Sequence, residues 1–170
     1  MRILAIDPGN VKSAYVIIDF DTCKPLQFNK TDNESLLYTL LIYSLLDEEC
    51  RVVIEKIASY GMPVGEEVFD TCIWTGRFMQ AITDGQAINE KLLYPELVKR
   101  YEVKINLCHD TRAKDANIIQ ALVDRFTPGA RNYGKGTKQA PGWFYGFKAD
   151  IWQAYALGVT YIDRLKGGEQ

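Results

Sequence analysis

Ile3-Leu4-Ala5-Ile6-Asp7-Pro8-Gly9-Asn10, followed after Val11 and Lys12 by Ser13-Ala14-Tyr15-Val16-Ile17-Ile18-Asp19, is the stretch from which the fold is read. The first run predicts a short buried strand over 2–7, and Pro8-Gly9-Asn10 supplies turn chemistry. The second run predicts a strand over 11–19, so the two form a hairpin. The first strand ends in a carboxylate, Asp7.

Residues 24–28 give a weaker third strand, with Pro25 confined to its edge or first position. Asp32 or Asn33 is placed to cap a helix whose Leu36, Leu37, Leu40, Leu41, Ile42 and Leu45 form a wide apolar face, ending near 47–50. Arg51-Val52-Val53-Ile54-Glu55 is a compact β-branched run, expected as a central strand buried on both faces and again ending in an acid. A Gly- and Pro-bearing loop over 58–65 leads into a helix over 66–83. Short strands are expected over 91–94 and 103–107, with a turn or brief helix around 95–100 between them. Thr111 is placed to cap a helix carrying Ile118, Ile119, Leu122 and Val123. Residues 127–146 hold five glycines and two prolines and read as a long surface loop. A last helix over 148–165 is closed by Gly167 and Gly168. Hairpin, helix, buried strand, then helices alternating with strands predict a mixed α/β sheet with helices on both faces, in one domain over 1–166 with a frayed tail over 167–170.

Composition bounds the function. The chain has 170 residues, 47% of them hydrophobic and 25% charged, which is ordinary for a globular domain and excludes disordered and disulfide-built classes. By size scaling such a domain buries roughly 70% of its unfolded surface. Cys23, Cys50, Cys72 and Cys108 lie far apart with no C-x-x-C pair, so neither a structural zinc nor a redox couple is signalled, and a reducing compartment is expected. With no apolar run of membrane-spanning length and no signal-peptide core, a soluble cytoplasmic protein is expected, with no membrane partner and no organic cofactor. His109 is the single histidine, so no Ser-His-Asp or Cys-His arrangement is indicated.

Three acids carry the chemistry. Asp7 and Glu55 each end a strand and Asp150 opens the last helix. Singly, each has a plain reading: Asp7 as a turn cap, Glu55 as a salt-bridge partner, Asp150 as a first-turn helix acid. Brought together they would repel one another unless divalent cations neutralised them, and hard cations such as Mg²⁺ or Mn²⁺ prefer oxygen ligands. Two such ions can activate water and stabilise the leaving oxygen in phosphodiester hydrolysis.

The ordered set of the opening stretch, Val52-Val53-Ile54-Glu55, Arg112-Ala113-Lys114-Asp115 and Lys148-Ala149-Asp150 with Trp152 and 154–158 resembles the RuvC-type Holliday junction resolvases, in particular their phage-like branch. The resemblance spans most of the chain. It implies an RNase H-like fold, a homodimer, and Mg²⁺- or Mn²⁺-dependent nicking of branched DNA. Asp7, Glu55 and Asp150 then match the metal-binding acids. Lys114 matches a basic residue near the scissile phosphate, and Tyr60 resembles an aromatic wedge. One departure stands out: three residues before and after Asp150 lie Phe147 and Gln153, where a second acid is often found. Asp19, Asp110, Asp115 or Gln153 are the substitutes to consider, the alternative being one metal held mainly by substrate phosphate.

The net charge of −2 gives no whole-chain support for a nucleic-acid partner. Locally the balance reverses. Residues 111–148 contain seven basic residues, Arg112, Lys114, Arg125, Arg131, Lys135, Lys138 and Lys148, against Asp115 and Asp124. Arg112, Arg131, Lys135, Lys138 and Lys148 are the candidate phosphate contacts, the alternative being a solvated loop. Tyr133, Trp143, Phe144, Tyr145 and Phe147 accompany them, most of them expected in the core. Trp74 and Met79 are expected in the core or at a dimer face. Two rivals to the junction nuclease are a YqgF-type RNase H-like nuclease acting on RNA and a protein that holds junctions without cutting them.

Overall fold

The computed structural model describes residues 1–46, 50–59, 61, 63–88 and 94–168. β1 (Arg2–Asp7) and β2 (Lys12–Asp19) pair antiparallel, with Ile3 opposite Ile18 and Asp7 opposite Ala14. The turn between them admits only glycine at its centre, because a Cβ on Gly9 would lie 2.4 Å from the Lys12 carbonyl oxygen. β3 (Pro25–Asp32) pairs antiparallel with β2 and is an edge strand with Pro25 at its first position, where a missing N–H costs nothing. β4 (Cys50–Lys56) and β5 (Glu96–Lys99) continue the sheet in parallel, giving the order β3-β2-β1-β4-β5.

Strand parity sorts the side chains to two faces. Leu4, Ile6, Tyr15, Ile17, Val52 and Ile54 pack with Leu36 and Leu40 of α1 (Asn33–Leu46) and with Phe78 and Ile82 of α2 (Glu66–Ile88). Ile3, Ala5, Val16, Ile18, Val53 and Val98 pack on the other face, under α3 (Arg100–Cys108), α4 (Asp115–Phe126) and α5 (Ile151–Gly167). The mixed sheet covered on both faces is the architecture expected. α5 is buried along most of its length, and Gly158 lets it approach β1 and β2 closely.

Between β4 and α4 the order differs from expectation. Residues 96–99 form a strand and 100–108 a helix, the reverse of the reading made from sequence. Val103, Ile105 and Leu107 alternate as in a strand, but Val103 is buried while Ile105 is 45% exposed, as a helix turning its face requires. A local signal starts that helix: the Lys99 N–H donates to Glu102 Oε1 at 2.9 Å. The strand expected over 91–94 lies outside the described residues save Tyr94, which is in no strand. Thr111 caps nothing. Asp110 closes a turn there by accepting from the Arg112 N–H at 2.9 Å, and α4 begins at Asp115. α2 runs past its expected end at 83 to Ile88, and α5 starts three residues later than expected.

Residues 127–146 contain a short 3-10 turn at Asn132–Gly134 and an isolated bridge between Gly136 and Pro141. Of the aromatics there and just beyond, Phe144 and Phe147 are buried and Trp143 stacks on Phe126 at 5.3 Å, while Tyr133 and Tyr145 are exposed. Trp74 and Met79 are partly buried against the α1/α2 core, and Trp74 lies under the Arg77 guanidinium at 4.0 Å. Among the described residues no helix is long and apolar enough to cross a membrane.

Candidate active site

Parity and register bring the acids together. Ala5 lies opposite Val53 and Ile6 opposite Ile54 in the parallel β1/β4 pair, so one step further Asp7 stands beside Glu55 at the strand ends. Both occupy the same face as Ala5 and Val53, which is the face α5 covers. Asp150, at the N-terminus of α5, lies close enough to that edge to act electrostatically on Asp7. It follows Ala149, whose φ of 42° is a left-handed conformation rare outside glycine. The turn after Asp7 is fixed from behind by buried side chains. Ser13 Oγ donates to Asn33 Oδ1 at 2.6 Å, Asn33 Nδ2 donates to the Gly9 carbonyl at 2.9 Å, and the Gly9 N–H donates to Ser13 Oγ at 3.1 Å. Asn33, expected as a helix cap, thus acts as a latch on the Asp7 turn.

Two cations that sequence reasoning passed over sit among the acids. Arg100, the first residue of α3, donates from Nη1 to Glu55 Oε2 at 3.3 Å and from Nη2 to Asp115 Oδ1 at 2.6 Å, and also to Gln153 Oε1. Lys30, from the edge strand β3, pairs with Asp150. Burial, with repulsion from Glu55 and Asp150, pushes the Asp7 carboxyl well above the usual carboxylate range against the pull of Arg100 and Lys30. Burial likewise raises Glu55, opposed chiefly by Arg100.

With all four acids ionised, Asp7, Glu55, Asp115 and Asp150 have only Arg100 and Lys30 as ion-pair partners among the described residues, Lys104 acting on Glu55 without pairing, so two negative charges are left without a paired cation. That is the charge of one divalent ion, and the donors are all carboxylate oxygens, which suit Mg²⁺ or Mn²⁺. Among the described residues, however, no three His, Cys, Asp or Glu side chains are already arranged as a metal cage. Lys30 holds Asp150, and Arg100 holds Glu55 and Asp115, instead. Lys30 is a flexible side chain about one-third exposed, whereas Arg100 is largely buried and held by three partners.

Of the substitutes considered for a fourth ligand, Asp115 and Gln153 join this network through Arg100. Asp19 does not, since it sits opposite Arg2 at the far end of β2 and accepts from Thr22. Asp110 is exposed and pairs with Arg112 in its own turn at 3.7 Å. Lys114 is exposed at the N-terminus of α4, next to Asp115, and its N–H donates to Asn117 Oδ1 at 2.9 Å. Arg112, Arg131, Lys138 and Lys148 are exposed and Lys135 half-buried. Tyr60 lies outside the described residues.

The fold has solved counterparts. Thermus thermophilus RuvC superposes with a TM-score of 0.70 at 14% sequence identity, over 99% of this chain and 97% of that one. The fold is that of RuvC. A structure of T. thermophilus RuvC in complex with a Holliday junction substrate matches with a TM-score of 0.65 at 15% identity, over 99% of this chain and 96% of that one. No family model and no curated protein matches the sequence. The RuvC-like, RNase H-like fold expected from the resemblance is therefore present, and within it Asp7, Glu55 and Asp150 meet at one sheet edge.

Proposed function

We propose that this protein is a metal-dependent endonuclease that resolves four-way or other branched DNA by paired phosphodiester nicks, akin to the phage-like RuvC resolvases its sequence resembles. The observation that carries the reading is the meeting of three carboxylates, remote in sequence, at the ends of β1 and β4 and the start of α5. It gains support from RuvC having been solved with a junction.

In this reading Asp7, Glu55 and Asp150 hold Mg²⁺ or Mn²⁺, and a cation bound there supplies Lewis-acid charge and an activated water. The protein's own groups do the rest. Asn33 and Ser13 keep the Asp7 turn from shifting, and Arg100 fixes the Glu55 carboxylate. Lys30 neutralises Asp150 until a cation replaces it. Lys114, exposed beside Asp115, is the group placed to meet a scissile phosphate. Arg112, Arg131, Lys135, Lys138 and Lys148 follow the DNA backbone.

A homodimer belongs to this reading, because two sites related by a two-fold axis can cut opposed strands of a nearly symmetric junction. Phe69 and Ile73, one turn apart on α2, are 60% and 62% exposed and offer an apolar face for it. The competing reading, a binder that does not cut, draws on Phe147 and Gln153 standing where a second acid near Asp150 would be expected.

Cleavage separates the two. A synthetic four-way junction with Mn²⁺ is expected to yield symmetric nicks, which Asp7→Asn and Glu55→Gln abolish while junction binding persists. Undiminished nicking by Asp7→Asn would refute the nuclease, and intact binding with no nicking by the unmodified protein would favour the binder.

A further inference from the structure

We propose that the cleft between α4, α5 and the 3-10 turn at Asn132–Gly134 is a pocket for an unstacked nucleobase at the DNA branch point. The proposal rests on the branched-DNA reading above. The cleft encloses about 240 Å³ and is lined by Ala116, Ile119, Gln120, Tyr133, Lys135 and Trp152. Its helical walls begin at the acids: Ala116 follows Asp115, and Trp152 lies two residues beyond Asp150. A group seated there is thus a neighbour of the carboxylate edge.

The lining has the chemistry of a nucleotide's parts. Tyr133 is 54% exposed and offers its ring to a flat heterocycle, while Trp152, buried against Phe144 and Phe147, closes the floor of the cleft with apolar surface. Gln120 donates its amide N–H to Asp124 at 2.7 Å, which leaves its carbonyl oxygen to accept from a base edge. Lys135 supplies charge for the attached phosphate. Among the described residues Lys135 is in no ion pair, so its charge is open to a phosphate at the cleft, where Asp124 is engaged by Gln120.

The backbone holds the ring in place. Asn132 and Tyr133 have φ of 51° and 54°, two successive non-glycine residues in the left-handed region. Such strain persists only where the surroundings enforce it. Here they do: a Cβ on Gly134 would fall 2.4 Å from Thr127 Oγ1, and one on Gly142 2.2 Å from the Gly134 carbonyl. The Gly142 N–H donates to the Lys135 carbonyl at 2.9 Å and the Phe144 N–H to the Gly134 carbonyl at 3.3 Å. This tightly laced segment buries Phe144 and partly buries Trp143 yet leaves Tyr133 in solvent beside Lys135.

The test is a binding cycle in the absence of divalent cations. Four-way junctions carrying a single abasic nucleotide, moved through each position near the branch, are titrated against the unmodified protein and Tyr133→Gly. Glycine tolerates the left-handed backbone, so this variant removes the ring without disturbing the turn, and an unchanged thermal unfolding curve verifies it. We expect Tyr133→Gly to weaken binding of the intact junction about tenfold. One abasic position should cost the unmodified protein a similar factor and cost Tyr133→Gly almost nothing more. Fully additive losses, or no sensitive position, would overturn the pocket while leaving the nuclease standing. Failure of the unmodified protein to bind any junction would remove the DNA reading and the pocket with it.

Discussion

Taking the guanidinium from Arg100 would leave Glu55, Asp115 and Gln153 without their common donor. Breaking a buried ion-pair network from one side costs about 3–5 kcal/mol, because a charge is left without compensation. Arg100→Ala is therefore expected to lower stability by about 3 kcal/mol in metal-free urea unfolding. Millimolar Mn²⁺ should then return more stability to the variant than it adds to the unmodified protein, since the carboxylates freed of Arg100 gain most from a cation that binds only the folded state. Equal Mn²⁺ effects on both would argue that Arg100 and the cation do not share the same charges. Asp7 and Glu55 were legible as site residues because each is an acid ending an apolar run. Arg100 was not. It sits at the junction of a four-residue strand and a helix, in a region expected as a turn or brief helix, and its partners come from β4, α4 and α5. Lys30 was equally hidden, on the one strand whose pattern is weak.

Two elements carry predictions of their own. A Cβ at Gly158 of α5 would meet Ile18 Cδ1 at 2.4 Å and Ala5 Cβ at 3.0 Å, whereas one at Gly76 of α2 would meet nothing within 4 Å. Overpacking costs about 1–3 kcal/mol and alanine returns about 1 kcal/mol of helix propensity. Gly158→Ala should thus destabilise by about 1 kcal/mol net, and Gly76→Ala stabilise by up to about 1 kcal/mol, both read from chemical denaturation.

The second prediction concerns the clamp between α3, α4 and α5. Arg125 grips both Asp163 oxygens at 2.8 Å, and Asn106 donates to one of them at 2.8 Å. Burial opposes ionisation of Asp163, but these bonds win and hold its carboxyl below the ordinary range. A carboxyl lowered on folding stabilises the protein above its unfolded pKa of about 4, and that stability is lost as pH falls through the lower folded value. Asp163→Asn should cost about 2 kcal/mol at pH 7, and the gap between the two proteins should shrink steadily below about pH 4. A gap independent of pH would show that shape, not charge, holds the helices. The misread α3 belongs at this scale: alternation over five residues fits a strand and a one-sided helix alike, and only packing against α5 decides between them.

For the whole molecule, the apolar face at Phe69 and Ile73 makes association testable. Replacing both by Glu should leave a monomer by analytical ultracentrifugation at micromolar concentration, with thermal stability nearly unchanged because neither side chain is in the core. A protein already monomeric before substitution would refute the dimer.

Interactions between neighbours along the chain suffice for the hairpin, the apolar central strand, the long helices and the acids at their ends, and these are legible in the order of residues alone. Hydrophobic period and turn chemistry are local, and they suffice for these. Tertiary contacts were needed to set Asp7 and Glu55 side by side, to pair Arg100 with Glu55 and Lys30 with Asp150, and to hold Tyr133 at the mouth of the cleft that Trp152 lines. Those facts depend on strand register and helix packing between segments up to about 120 residues apart, where Coulomb and contact energies act through space and leave no periodic trace in the chain.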